Sequence, residues 1–128
     1  MQKMDRLLAR KMMRTPHMQN EVNPAAFVLR KEEGQHVGAG ALNLDGATIS
    51  VAEVVALKEG LLFARHKGVK QLMVEEDSKL VIQVVQDVWM PLWHLKPIIK
   101  DIKWLASEFQ HISWKHIFIG RLISWRTH

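Results

Sequence analysis

The 128-residue sequence contains no cysteine. Disulfides, thiolate zinc sites, iron–sulfur clusters and cysteine nucleophiles are excluded, which leaves carboxylates, histidine, hydroxyls and lysine to carry any chemistry. No apolar run approaches the ~18–20 residues needed to cross a bilayer, and no signal-peptide core follows Met1. No membrane partner is expected, and the expected location is intracellular, nuclear or cytoplasmic. There is no internal repeat, low-complexity tract or Pro/Gly-rich linker. The seven histidines show no ligand spacing such as His-x-x-x-His, so none is expected to hold a metal. What is present, 48% hydrophobic and 24% charged residues, suits one globular domain with a single core.

Acids are scarce at both ends. Residues 1–30 carry six bases and two acids, residues 31–95 six and nine, and residues 96–128 six and two, for a net charge of +5. An excess of this size is compatible with nucleic acid but does not require it. In residues 1–18, Lys3, Arg6, Arg10, Lys11 and Arg14 face a single acid, Asp5, while Met4, Leu7, Leu8 and Met12 recur at helical spacing. Residues 1–22 are therefore expected to form a basic extension outside the core, helical or disordered. An organelle transit peptide has a similar pattern, but Asp5 and the lack of serine over residues 1–18 argue against one.

From Asn23 to Leu44 the sequence reads as a hairpin of residues 25–30 and 36–42 around Glu32-Glu33-Gly34-Gln35. Val54, Leu57, Leu61 and Ala64 mark one face of a helix that Ser50 starts and Gly68 stops. Residues 69–75 read as a buried strand and 78–86 as a helix capped by Asp77 or Ser78. Residues 97–108 read as a helix with Pro97 in its first turn, and 111–118 as a last strand. This order belongs to the α/β class, with helices packed on a mixed sheet. Trp89, Trp93, Trp104 and Trp114 are expected in the core or lining a groove.

Two acids stand apart. Glu53 precedes Ala56 and Leu57 by three and four residues, so it lies on the helix side that meets the sheet and needs a partner there. Asp77 follows the apolar strand, where open α/β sheets place their ligand sites, although an aspartate at that junction is also a natural helix cap. Glu75 and Glu76 read as solvated charges.

Three segments in order carry a resemblance: Val51-Ala52-Glu53 opening a long helix, Ala56-Leu57-Lys58-Glu59-Gly60-Leu61 continuing it, and Val74-Glu75-Glu76-Asp77-Ser78-Lys79-Leu80-Val81-Ile82. Together they resemble the plant ribonuclease H-like domain of the reverse-transcriptase-associated, retroelement-type family. The likeness runs from Asn23-Pro24 to Ser113-Trp114-Lys115-His116-Ile117-Phe118.

The resemblance implies four carboxylates that hold two Mg2+ ions and hydrolyse the RNA strand of an RNA–DNA hybrid. Glu53 and Asp77 match two of them, as catalytic residues and metal ligands. The family's first strand ends in Asp-Gly, and no such pair occurs in residues 1–22, so the first strand is expected to be missing or replaced. Leu42-Asn43-Leu44-Asp45-Gly46-Ala47 has that pair, but Asp45 lies only a short loop ahead of Glu53, so it reads as a turn residue.

The fourth carboxylate belongs to a family segment like Arg-Glu-Ala-Asn-Phe-Val-Ala-Asp-Ala after the last strand. Residues 119–128 share nothing with it. Ile119 to His128 can be encoded as ATA GGG AGG CTA ATT TCG TGG CGG ACG CAC, and the same bases read from the third position translate as that segment. Residues 119–128 are therefore expected to be a frame-shifted tail, with the last helix and its aspartate lost from the 23–118 domain. The gene should show a frame discontinuity just after the Phe118 codon; codons that do not yield Arg-Glu-Ala-Asn or a close variant when shifted would make the tail a genuine replacement.

With two of four carboxylates, hydrolysis is expected to be weak or absent and Mg2+ occupancy poor. The expected partner is an RNA–DNA hybrid or a double-stranded RNA-like duplex, bound by a monomer through Lys79, Lys96, Lys100, Lys103 and Lys115. The alternative is a non-catalytic basic interaction module using residues 1–18.

Overall fold

The computed structural model describes residues 4–11, 22–45, 49–76, 78–86 and 95–117. Its elements are β1 (Asp5–Lys11), β2 (Val22–Arg30), β3 (His36–Asp45), α1 (Ile49–His66), β4 (Gln71–Glu76), α2 (Lys79–Val85), α3 (Lys96–Ser107) and β5 (His111–His116). The α/β expectation holds, and each element expected between Asn23 and Phe118 is present. One difference changes the architecture. Residues 5–11 are neither a helix nor an extension: they form the central strand of a five-stranded sheet ordered β3-β2-β1-β4-β5.

β1 runs antiparallel to β2, with Leu7 opposite Leu29, and parallel to β4, with Ala9 opposite Glu76. Both its edges are hydrogen-bonded, which satisfies the backbone groups of a buried strand. Its side chains alternate: Leu7 and Ala9 are fully buried while Arg6 is exposed. That period of two is the strand signature. The first strand is thus present, and the domain begins upstream of residue 23.

β2 and β3 form the expected hairpin, longer than the sequence indicates. The Gly34 N–H donates to the Lys31 carbonyl (2.7 Å), and Gly34 takes φ +92°, a conformation glycine adopts without penalty. β3 continues through Asp45, which is opposite Val22, so Asp45 ends a strand and does not lie in a turn. α1 ends as Gly68 predicts: the Val69 N–H reaches the Ala64 carbonyl (3.1 Å) and the Gly68 N–H the Arg65 carbonyl (3.0 Å).

α1 and α3 cover one face of the sheet. Val54, Leu57 and Leu61 of α1 and Ile99, Ile102 and Leu105 of α3 share a core with Leu7, Leu29, Leu72 and Val74 of the strands. Each fully buried leucine or isoleucine contributes about 1.5–3 kcal/mol. α1 sits close because Gly60 faces β1: a Cβ there would lie 2.9 Å from Leu7 Cδ1 and 3.2 Å from Phe27 Cβ. In an exposed helix Gly→Ala stabilises by about 1 kcal/mol. Here Gly60→Ala should lower the urea midpoint, with a loss of about 1–3 kcal/mol from overpacking. A rise would mean that α1 has room to lift.

No described helix is long and apolar enough to cross a membrane.

Candidate functional site

Three parallel strands, β1, β4 and β5, end at the same edge of the sheet. The sheet order makes this a switch point, since β1 has an antiparallel neighbour on one side and a parallel one on the other. Loops leaving the carboxyl ends of such strands build ligand sites.

Glu53 is where its spacing places it. It lies on the packed side of α1, 6% exposed, between the buried Ala52 and Val54. The sequence misses a second buried acid. Glu76, expected in solvent, is fully buried, because β4 alternates and Leu72, Val74 and Glu76 share the helix-side face. Burying a carboxylate is costly unless it is engaged, and both acids take part in further polar or electrostatic interactions. Glu76 Oε1 accepts the Ser78 N–H at 3.2 Å. Ser78 Oγ in turn accepts the Val81 N–H at 3.3 Å, so Ser78 is the cap of α2. Asp77 lies outside the described residues.

At the end of β1, one residue beyond the Ala9–Glu76 pair, stands Arg10, followed by Lys11. The resemblance places Asp-Gly at the end of this strand, and no acid stands there. The other candidate acids are remote. Asp5 is at the opposite end of β1, five residues or roughly 16 Å from Arg10 along the strand. Burial pushes its carboxyl above the ordinary value, Glu33 and Glu32 add to the rise, and Lys31 opposes it. Asp45 is on the edge strand β3, two strands from β1. Among the described residues no three His, Asp or Glu side chains form a group able to hold a metal ion. The described donors alone do not fit the paired Mg2+ ions that the resemblance implies.

The five expected nucleic-acid-binding lysines do not share one surface. Lys96 and Lys100 are exposed on α3, and Lys103 is half-buried there. Ile112 and Trp114 of β5 pack against the core, so Lys115 emerges on the opposite face of the sheet from α3. Lys79 opens α2, at the edge where β4 ends. The tryptophan expectation also divides: Trp114 packs on the core, Trp104 is 57% exposed beneath the Arg65 guanidinium (5.1 Å), and Trp89 and Trp93 lie outside the described residues. The tail, residues 119–128, lies outside them as well.

Comparison with known proteins accounts for this architecture. RNase H1 from the halophilic archaeon Halobacterium salinarum NRC-1 superposes with a TM-score of 0.75 at 24% identity, covering 88% of this chain and 84% of that one. The N-terminal RNase H domain of a Mycobacterium tuberculosis protein, solved as a fusion with maltose-binding protein, gives 0.76 at 24% identity, with 88% and 86% covered. LC11-RNase H1, solved in complex with an RNA/DNA hybrid, gives 0.77 at 18% identity, with 91% and 87% covered. Among curated proteins none matches. The profile of the family described as reverse transcriptase-like matches residues 15–120, so this chain, with its RNase H fold, belongs to the reverse transcriptase-like family.

Proposed function

We propose that the chain is an RNase H-type domain that binds duplex nucleic acid, an RNA–DNA hybrid above all, and does not hydrolyse it. The observation that carries this reading is the end of β1: an RNase H fold whose central strand finishes in Ala9-Arg10-Lys11 has no acid where the resemblance implies a metal-binding one. Two divalent ions held roughly 4 Å apart need a dense set of fixed negative charges. Glu53 and Asp77 are the residues we assign to the remnant of that Mg2+ site.

The net charge of +5 supports an anionic partner, and a structural neighbour solved with an RNA/DNA hybrid supports its class. The plant, retroelement-type affiliation rests on the motifs around Glu53 and Asp77, and we take the domain to act as a monomer. Against the alternative, a basic helical module in residues 1–18, stands β1, in which residues 5–11 are a strand at the sheet centre and not a helix.

Fluorescence anisotropy with a labelled hybrid tests the reading. Phosphate contacts release counterions, so affinity should fall at least roughly tenfold between about 50 and 200 mM salt. Salt-insensitive binding, or none, refutes it. Neutralising Lys79 and Lys103 together should weaken binding if those bases lie along the duplex path, and unchanged affinity places the path elsewhere.

A further inference from the structure

We propose that the outer surface shared by α1 and α3 is a second nucleic-acid site, where an unpaired base stacks on Trp104 beside Arg65 and the adjoining phosphates meet cations at the ends of the two helices. Its ligand is single-stranded nucleic acid. The inference goes beyond the duplex reading, because Arg65 lies twelve residues, or roughly 18 Å, along α1 from Glu53.

The first observation is exposure. Among the described residues the exposed large hydrophobic side chains are Leu62, at 38%, and Trp104, at 57%. Both belong to this surface. The Arg65 guanidinium lies over the Trp104 ring, 5.1 Å from its centroid, and Leu62 precedes Arg65 by three residues on the same side of α1. An indole that meets a cation and stands more than half in solvent suits base stacking, which any base can enter through its π-face.

The second observation is charge. α1 and α3 run side by side in the same direction, joined by two ion pairs: Lys58 Nζ is 3.1 Å from Asp101 Oδ2, and Arg65 Nη2 is 3.7 Å from Glu108 Oε1. Both acids of residues 96–108 are thereby matched by α1 cations. The exposed charges that these pairs leave around Trp104 are positive: Lys100 one turn before it, and Lys67 and Lys70 just past the end of α1. The Lys70 carbonyl accepts the Gln110 N–H at 2.9 Å, which brings the two helix ends together. Such charge favours a polyanion, and the ring favours one whose units are flat and aromatic.

Fluorescence anisotropy of the full chain, with a labelled oligo-dT strand of about ten nucleotides and with a blunt RNA–DNA hybrid, tests the inference. Trp104→Ala should raise the dissociation constant for oligo-dT at least about fivefold and leave that for the hybrid within about twofold, and Trp104→Phe should retain most of the affinity for both. Circular dichroism melting checks that the variants fold. Should Trp104→Ala not fold, Lys100→Glu, at an exposed position on α3, carries the test with the same expected loss. A parent that binds no oligo-dT, or a folded variant that binds it like the parent, overturns the inference and leaves the duplex reading standing. Equal losses for oligo-dT and hybrid also overturn it, since one surface would then serve both. A parent that binds oligo-dT through Trp104 but no hybrid supports this site and overturns the duplex reading.

Discussion

Deleting residues 1–11 should abolish the cooperative thermal transition and leave a chain that binds hydrophobic dyes. The segment is the middle of the sheet. Its removal separates β2 from β4, opens two paired edges and takes Leu7 and Ala9, both fully buried, out of the core. Leu7→Ala alone should cost about 2–5 kcal/mol, a large share of the ~5–15 kcal/mol typical of a domain. The control is Lys3→Ala, which should leave the melting temperature unchanged. A truncated chain that still melts cooperatively would mean that residues 5–11 are dispensable. It would also revive the reading of residues 1–22 as an appendage.

That strand marks the limit of what the sequence discloses. From Asn23 onward the periodicities are unmixed. Leu57, Leu61 and Ala64 recur only at helical spacing, Gly68 terminates the helix, and the alternation of His111 to His116 is a strand signal and nothing else. In residues 4–12 two periods overlap. Met4, Leu7, Leu8 and Met12 fit a helix, while Leu7 and Ala9 between arginines fit a strand, and local pattern does not separate them. The decision is non-local: β2 and β4 each have an edge that β1 satisfies.

Glu76 was hidden differently. Glu75-Glu76-Asp77 reads as a solvated acidic run, yet continuing the alternation of Leu72 and Val74 by one step puts Glu76 inside. Asp45 likewise extends the alternation of Leu42 and Leu44 to the end of β3. Glu53 was legible because a helix face is a local property. The separation of Lys115 from Lys96 and Lys100 was not, because it depends on which layer each element joins.

The second large effect is a gain. This chain, with Mg2+ or Mn2+, should cleave a labelled RNA–DNA hybrid no faster than its Glu53→Gln and Asp77→Asn variants, since two acids cannot hold two cations against their mutual repulsion. Ala9→Asp with Arg10→Gly, on the helix-side face where Ala9 is opposite Glu76, combined with Arg-Glu-Ala-Asn-Phe-Val-Ala-Asp-Ala in place of the residues after Phe118, supplies the four carboxylates that the resemblance implies. That repaired chain should hydrolyse hybrid at least roughly 10³-fold faster than the parent, a modest part of the acceleration enzymes reach. Either half of the repair alone should do little, because the β1 substitution and the C-terminal segment each contribute one acid to a site that fails with three. Glu53→Gln should abolish the gain, which ties it to this site and not to a contaminating nuclease. Hydrolysis by the unrepaired chain clearly above its own variants would instead show that another acid, Asp5, Asp45 or Glu76, completes the site. For Asp5 or Asp45 the register would have to shift, since Asp5 is at the far end of β1 and Asp45 is two strands away.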